Sequence, residues 1–302
     1  MKKHGKKLVF AALFMVFVCG LVLTVLQLWQ YGNAQESNTQ AARLAFSSTG
    51  PETQTEPLQT QPTEPVETEA TIPETVPAET EPPLDEAARF LRHLDVYALR
   101  QVNAEVLGWI YLPDTVISYP LMETAERDRY LHHAWDGSRN PGGSIFLEKN
   151  NRRDFTDFNT IIYGHHLVNG TMFQPLMNYR EEAFLQQHPY IYIATDREIF
   201  RYRIFSAYEA PVDSDTYRLY FPNDAAREAA LALYCQGRQD LGLTPMDRIL
   251  TLSTCTGTGV YTTRWVVQGV LDAQGQKEKA GKPAFWVFYL ASGIIGSKEW
   301  TA

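Results

Sequence analysis

The chain has 302 residues, 27 Lys+Arg against 35 Asp+Glu, a net charge of −8, 44% hydrophobic residues and three cysteines. That length holds one ordinary domain with extensions, or two small ones. The acidic balance excludes a basic nucleic-acid-binding surface, and three cysteines are too few for a small disulfide-stapled scaffold.

Lys2, Lys3, Lys6 and Lys7 precede an apolar run over residues 8–26, broken only by Gly20 and Thr24, with Trp29 and Tyr31 beyond it. As a helix rising about 1.5 Å per residue, the run roughly matches a ~30 Å hydrocarbon core. Lysines mark the cytoplasmic side and the aromatic rings suit the far interface. Residues 1–34 are therefore expected to form a single-pass anchor with a cytoplasmic N-terminus, which puts the rest of the chain outside the cell. A cleaved secretory signal is the alternative, since Gly32 and Ala34 could form a cleavage site. Against it, the run exceeds the ~7–15 residues of a typical signal core.

Residues 35–84 carry nine Glu and one Arg, and eight of the 17 prolines fall between Pro51 and Pro83. With one aromatic residue and no apolar periodicity, the segment cannot offset its ordering entropy and reads as a disordered linker. Fully extended at ~3.1 Å per residue, about fifty residues would reach roughly 150 Å.

The folded domain is expected over residues 85–272. Residues 84–102 show helical spacing of Phe90, Leu91, Leu94, Tyr97 and Leu99. Eight short strand-like runs follow: VLGWIYL, TVISYPL, GSIFLE, TIIYGHH, YIYIAT, IFRYRIFSAY, RILTLSTC and RWVVQGVL. Gly, Pro, Asn and Asp punctuate them, and residues 225–235 form one further helix. This pattern predicts a mostly β (α+β) fold, a closed eight-stranded barrel with an N-terminal helix and further short helices. Residues 273–302 form a tail of open role, in which a lysine-rich stretch leads into the apolar run AFWVFYLASGII. That run is short for a bilayer span, which leaves packing on the domain, an interfacial position or a second anchor.

Among the cysteines, Cys19 lies in the apolar run and Cys235 on the apolar face of a helix, where each reads as a small hydrophobe. Cys255 ends a strand and precedes Thr256-Gly257-Thr258-Gly259, so a substrate can approach it at a strand mouth. A disulfide with Cys235 is its structural alternative. A thiol becomes a useful nucleophile beside a base or a cation. The strand at residues 159–163 ends in Gly164-His165-His166, and Arg264 follows Cys255 by nine residues, a spacing that lets a hairpin bring the two side by side. Guanidinium is always charged and can donate several hydrogen bonds to an oxyanion. Ser253, two residues before Cys255, shares its face and is a candidate substrate contact. The pairs His132-His133 and His165-His166 place adjacent residues on opposite faces, which argues against a metal site.

These residues together resemble the sortases, the cysteine transpeptidases of Gram-positive cell surfaces, most closely class B. The resemblance rests on Thr251-Leu252-Ser253-Thr254-Cys255, Gly164-His165, Arg264, and the stretches GWIYLPDTVISYPL, GGSIFL, IIYGHHLVNGTMF and HPYIYI. It covers about residues 88–271. It implies that Cys255 attacks the threonine carbonyl of a C-terminal sorting signal on a secreted protein, of an Asn-Pro-x-Thr type. The thioacyl-enzyme is then resolved by an amine of a peptidoglycan precursor or a pilin. His165 would move protons, Arg264 would steady the oxyanion, and no cofactor is required. An anchored cysteine peptidase or wall hydrolase would use water instead, and a non-catalytic surface module would leave the meeting of Cys255, His165 and Arg264 without a reason.

Overall fold

The computed structural model describes residues 2–47, 85–126, 128–236, 241–257, 262–276, 285–290 and 293–299. Eight strands carry the core: β1 (Val106–Tyr111), β2 (Ser118–Met122), β3 (Ile145–Leu147), β4 (Asn159–Tyr163), β5 (Tyr190–Thr195), β6 (Glu198–Pro211), β7 (Ile249–Cys255) and β8 (Thr263–Gln276). Their pairing runs β8-β6-β5-β1-β2-β3-β4-β7, and β7 pairs back onto β8, so the expected closed barrel of eight strands is present. The barrel is mixed: β2–β3 and β4–β7 are parallel and the other pairs antiparallel. Each of the eight apolar runs contributes one strand.

Ile110, Leu121, Ile145, Ile162, Ile193, Phe200, Leu250, Leu252, Trp265 and Val267 fill the barrel interior. A second layer, formed by Trp109, Met122, Tyr192, Ala194 and Ile199, packs outside it beneath three helices. β1 is therefore covered on both faces, which is why VLGWIY reads as an unbroken apolar run rather than an alternating one. The covering helices are α1 (Lys2–Ala45), α2 (Glu86–Arg92) and α3 (Val96–Val102).

Two sequence expectations change here. The single helix expected over residues 84–102 is split, because the Asp95 carboxylate accepts from Ala98 N at 2.9 Å and starts α3 as an N-cap. The linker expected over residues 35–84 begins later. Residues 35–45 are the end of α1, with Ala41 and Ala45 fully buried one turn apart against the domain. Small residues at that spacing let the helix approach closely, and the Glu/Pro-rich composition starts only beyond Ser47. The Asp95 N–H satisfies the Ala45 carbonyl at 2.7 Å, and the Phe46 ring stacks on Phe90 at 4.3 Å. Both flanks of residues 48–84 thus lie on the same face of the domain. The disorder expected of that segment concerns residues outside the described ones.

The expected helix near residues 225–235 is present, preceded by a one-turn α4 (Glu182–Gln187), as α5 (Asp224–Tyr234). β8 runs past the expected domain end at residue 272, and the tail adds a hairpin: β9 (Phe285–Leu290) pairs with β8 through Ala273↔Phe288 and with β10 (Gly293–Glu299). The lysine-rich stretch before it lies outside the described residues. Among the described residues no helix is long and apolar enough to cross a membrane.

Candidate active site

β7 and β8 form the antiparallel hairpin anticipated from the nine-residue spacing, and its terminal pair is Cys255↔Arg264. The phase of β8 is set by Trp265, whose indole N–H donates to the Leu176 carbonyl at 2.7 Å inside the barrel wall while Arg180 lies over the ring. With Trp265 and Leu252 turned inward, period-two alternation puts Arg264 and Cys255 on the outer face. Both are half-buried. The Arg264 Nη1 donates to the Thr263 carbonyl at 2.9 Å.

β4 lies parallel to β7 in the register Tyr163↔Ser253, and Gly164 N donates to the Ser253 carbonyl at 3.2 Å. Two residues further along the two chains stand His165 and Cys255. The barrel thus gathers Cys255, His165 and Arg264 at the ends of three neighbouring strands.

The two adjacent histidines take different partners, as their opposite strand faces require. His165 Nε2 lies 2.8 Å from the Leu131 carbonyl, and His166 Nδ1 lies 3.0 Å from the Cys255 carbonyl. A carbonyl only accepts, so each of these nitrogens carries a hydrogen. For His165 this leaves Nδ1 as the basic nitrogen of the neutral ring. Burial pushes the His165 imidazole below its ordinary value, the Leu131 carbonyl opposes that, and nearby His132 adds to it. His166 clamps the backbone of the thiol-bearing residue.

Gly143 sits against the same ring. It has φ +59°, a left-handed conformation that favours glycine, and a Cβ there would run into the Tyr130 carbonyl and lie 3.0 Å from His165 Cδ2. Gly164 likewise leaves no room for a side chain between Ile145 and Phe173. The imidazole is therefore fixed by backbone and by packing.

Ser253 lies on the face anticipated for it but is only 1% exposed, and its hydroxyl meets the Tyr217 hydroxyl at 3.0 Å. As placed it supports Tyr217 and is not open to a peptide, which corrects the expectation of a direct contact. Tyr217, at the end of a short 3₁₀ turn (Asp215–Tyr217), is a site residue that sequence reading missed, as is Tyr163. Burial raises both phenols above their ordinary values, and Arg264 draws both down, so the guanidinium sits within electrostatic reach of each. Tyr163 was accessible to reasoning, being two residues before His165 on one strand. Tyr217 comes from a distant loop and carried no local signal.

None of the three cysteines forms a disulfide: Cys235 is buried with Phe158, Phe205 and Tyr234, while Cys255 is half-buried. The alternative disulfide is thus absent and Cys235 has the expected core role. A half-buried thiol, an oriented imidazole and a guanidinium on one outer face can support acyl transfer through a thioester, with the imidazole as proton carrier and the guanidinium as oxyanion donor.

Comparison with known proteins agrees. The family model for the sortase domain matches residues 110–272. Sortase B of Listeria monocytogenes is 34% identical over 177 residues, covering 57% of this chain and 72% of that protein. Among solved structures, the Staphylococcus aureus sortase B–substrate complex superposes with a TM-score of 0.55 at 30% identity, covering 58% of this chain and 83% of that one. A sortase B complexed with triglycine gives 0.54 at 30%, covering 58% and 84%. Motif order, barrel closure and these matches converge: the chain belongs to the sortase family of transpeptidases and is most like class B.

Proposed function

We propose that this sortase cleaves a C-terminal sorting signal after threonine and joins the new carboxyl end to an amine. The observation that carries this reading is the Cys255↔Arg264 pair, with His165 two residues past the Tyr163↔Ser253 pair that ends the parallel strand β4. The Cys255 thiol passes its proton to the neutral His165 ring as its sulfur attacks the threonine carbonyl, and the oxyanion is met by Arg264. As the C–N bond breaks, the leaving amine takes a proton from the His165 imidazolium and a thioester remains. The incoming amine attacks that thioester, gives its extra proton to His165, and expels the Cys255 sulfur, which takes that proton back and restores the thiol and the neutral ring. The related structures named for a substrate complex and for triglycine support a peptide donor and an amine acceptor. The donor is a secreted protein with an Asn-Pro-x-Thr type of signal, and the acceptor is an amine of a peptidoglycan precursor or a pilin.

The protein works at the outer face of the cell membrane, anchored by residues 8–26. Support for this comes from the lysine-flanked apolar run and from its continuity with the docked end in one helix, Lys2–Ala45. From Leu26 to Ser37 such a helix is about 17 Å long, so the catalytic domain stands close to the bilayer.

A panel of fluorogenic sorting peptides, with and without added amine, tests the reading. Amine-dependent ligation lost in both Cys255→Ala and His165→Ala, and retained in Cys235→Ala, is expected. Purely hydrolytic turnover, unaffected by amine, would mean an anchored peptidase instead.

A further inference from the structure

The chemistry just proposed needs the His165 ring held against the Leu131 carbonyl, and the 3₁₀ turn that carries this carbonyl (Arg129–Leu131) is itself held from the helical layer. Tyr130, fully buried, donates its hydroxyl to Glu105 Oε2 at 2.6 Å and accepts from Asn103 Nδ2 at 2.9 Å. Glu105 is fixed by Thr124 Oγ1 at 2.9 Å and by Arg129 Nε at 3.0 Å. The same Asn103 amide donates to the Trp135 carbonyl at 2.7 Å, and the Trp135 indole N–H donates to the Ser37 carbonyl on α1 at 2.9 Å. Trp135 is 1% exposed. Without α1 its indole would lose its acceptor, and Ala41 and Ala45 would no longer cover the layer that holds Tyr130 and Trp135.

We infer that the docked end of α1, residues 37–45, is a brace for the active site: through Trp135, Asn103 and Tyr130 it fixes the turn whose Leu131 carbonyl sets the tautomer and direction of His165. Trp135 and Tyr130 are then positioning residues for the reaction, about as far from the chemistry in sequence as they are indispensable to its geometry. The inference rests on His165 as the proton carrier. It has a direct consequence: a chain beginning near Asp85 retains the barrel, Cys255, His165 and Arg264, yet lacks the brace. A proton carrier must meet the leaving nitrogen within a few tenths of an ångström, and misplacement by about 1 Å costs on the order of 10² in rate.

The test uses the full chain in detergent, comparing wild type with Tyr130→Phe, which removes only the hydroxyl, with Trp135→Phe, which removes the indole N–H together with its five-membered ring, and with Ala41→Glu, which undocks α1. Amine-dependent ligation is followed as kcat and KM across pH, with alkylation of Cys255 in parallel. The brace predicts kcat lower by about tenfold in each of the two variants at temperatures where both are fully folded, with an unchanged KM for the donor peptide; the cavity and the orphaned polar partners lower the unfolding temperature, so the folded fraction is measured on the same samples. The double variant should cost little more than the worse single one, because both interrupt one chain of contacts. The acid limb of the profile should move to lower pH, since an imidazolium that loses its carbonyl acceptor is less stable; His132 is the titratable neighbour and is common to all variants. Activity of the wild-type chain in the same assay establishes the reading on which the brace rests. Wild-type kcat and an unshifted profile in both Trp135→Phe and Tyr130→Phe would overturn the brace alone, and these two decide the matter should Ala41→Glu not fold.

Discussion

At the scale of single residues, the site separates what charge does from what geometry does. Arg264 faces the outer side of the β7–β8 hairpin and acts on Tyr163 and Tyr217 as well as on the thiol's surroundings. If the guanidinium serves by directed donation to the oxyanion, lysine keeps the charge and loses the planar fork. Arg264→Lys is then expected to lower turnover by ~10² to 10³ with unfolding unchanged. Near-wild-type turnover would leave only a role for positive charge. His165 gives a second test, because its imidazole is held below the ordinary value chiefly by burial. Depression keeps the ring neutral at pH values where a free histidine already carries a proton, so the acid limb of kcat/KM should fall below about 6.5. A limb at or above 7 would show instead an imidazolium stabilised by the thiolate. That Cys255, His165 and Arg264 stand at strand ends was legible in the chain, from the breakers after Cys255 and before His165 and from the nine-residue spacing to Arg264. The Leu131 carbonyl was not, since a backbone acceptor has no residue type to betray it.

At the scale of elements, eight strands could be read off because each combines β-branched and aromatic residues with turn-forming punctuation on both sides. Closure followed from their number, whereas the parallel pairing of β4 with β7, which sets His165 beside Cys255, depends on residues far apart in sequence. The segment between β2 and β3 illustrates how a loop can matter as much as a strand. At its Gly143, φ +59°, an added Cβ would meet the His165 ring and the carbonyls of Tyr130 and Leu131. Gly143→Ala adds a Cβ with no space on any side and a left-handed backbone cost of about 1–2 kcal/mol. Activity should fall by far more than that stability loss explains, because the ring and its carbonyl must part to admit the methyl group. Measuring ligation and thermal unfolding on the same sample checks this: activity that falls only with the folded fraction would reduce Gly143 to a turn residue.

At the scale of the whole molecule, the order of segments along the chain is not their order in space. The Glu/Thr/Pro-rich composition reads as a spacer between an anchor and a domain, but α1 reaches the domain before that segment begins. Its docked end was hidden in the sequence by Gln, Ser, Asn and Thr flanking Ala41 and Ala45, a stripe too narrow to stand out as amphipathic. The chain re-enters at Asp85, which caps α2 and takes the Tyr192 hydroxyl, while Arg201 bridges it at 3.3 Å to Asp272 on β8. Entry and exit are thus both tied to the helical layer, with Phe46 stacked on Phe90 between them. The flanks of residues 48–84 are thus both docked on the domain. On the proposed anchoring by residues 8–26, replacing residues 48–84 by about ten Gly and Ser residues should leave ligation at the cell surface intact, since α1 would then lead from the bilayer to the domain. The shorter loop also loses less entropy on closing, by roughly 1 kcal/mol on a logarithmic dependence on length, which should raise the unfolding temperature by about 2–4 °C. A spacer role predicts the opposite in cells: shortening would pull the domain toward the bilayer and weaken ligation to the wall while the isolated enzyme stayed fully active. Comparing surface ligation with the activity of the same purified variant distinguishes the two, and a loss confined to intact cells would restore the stalk.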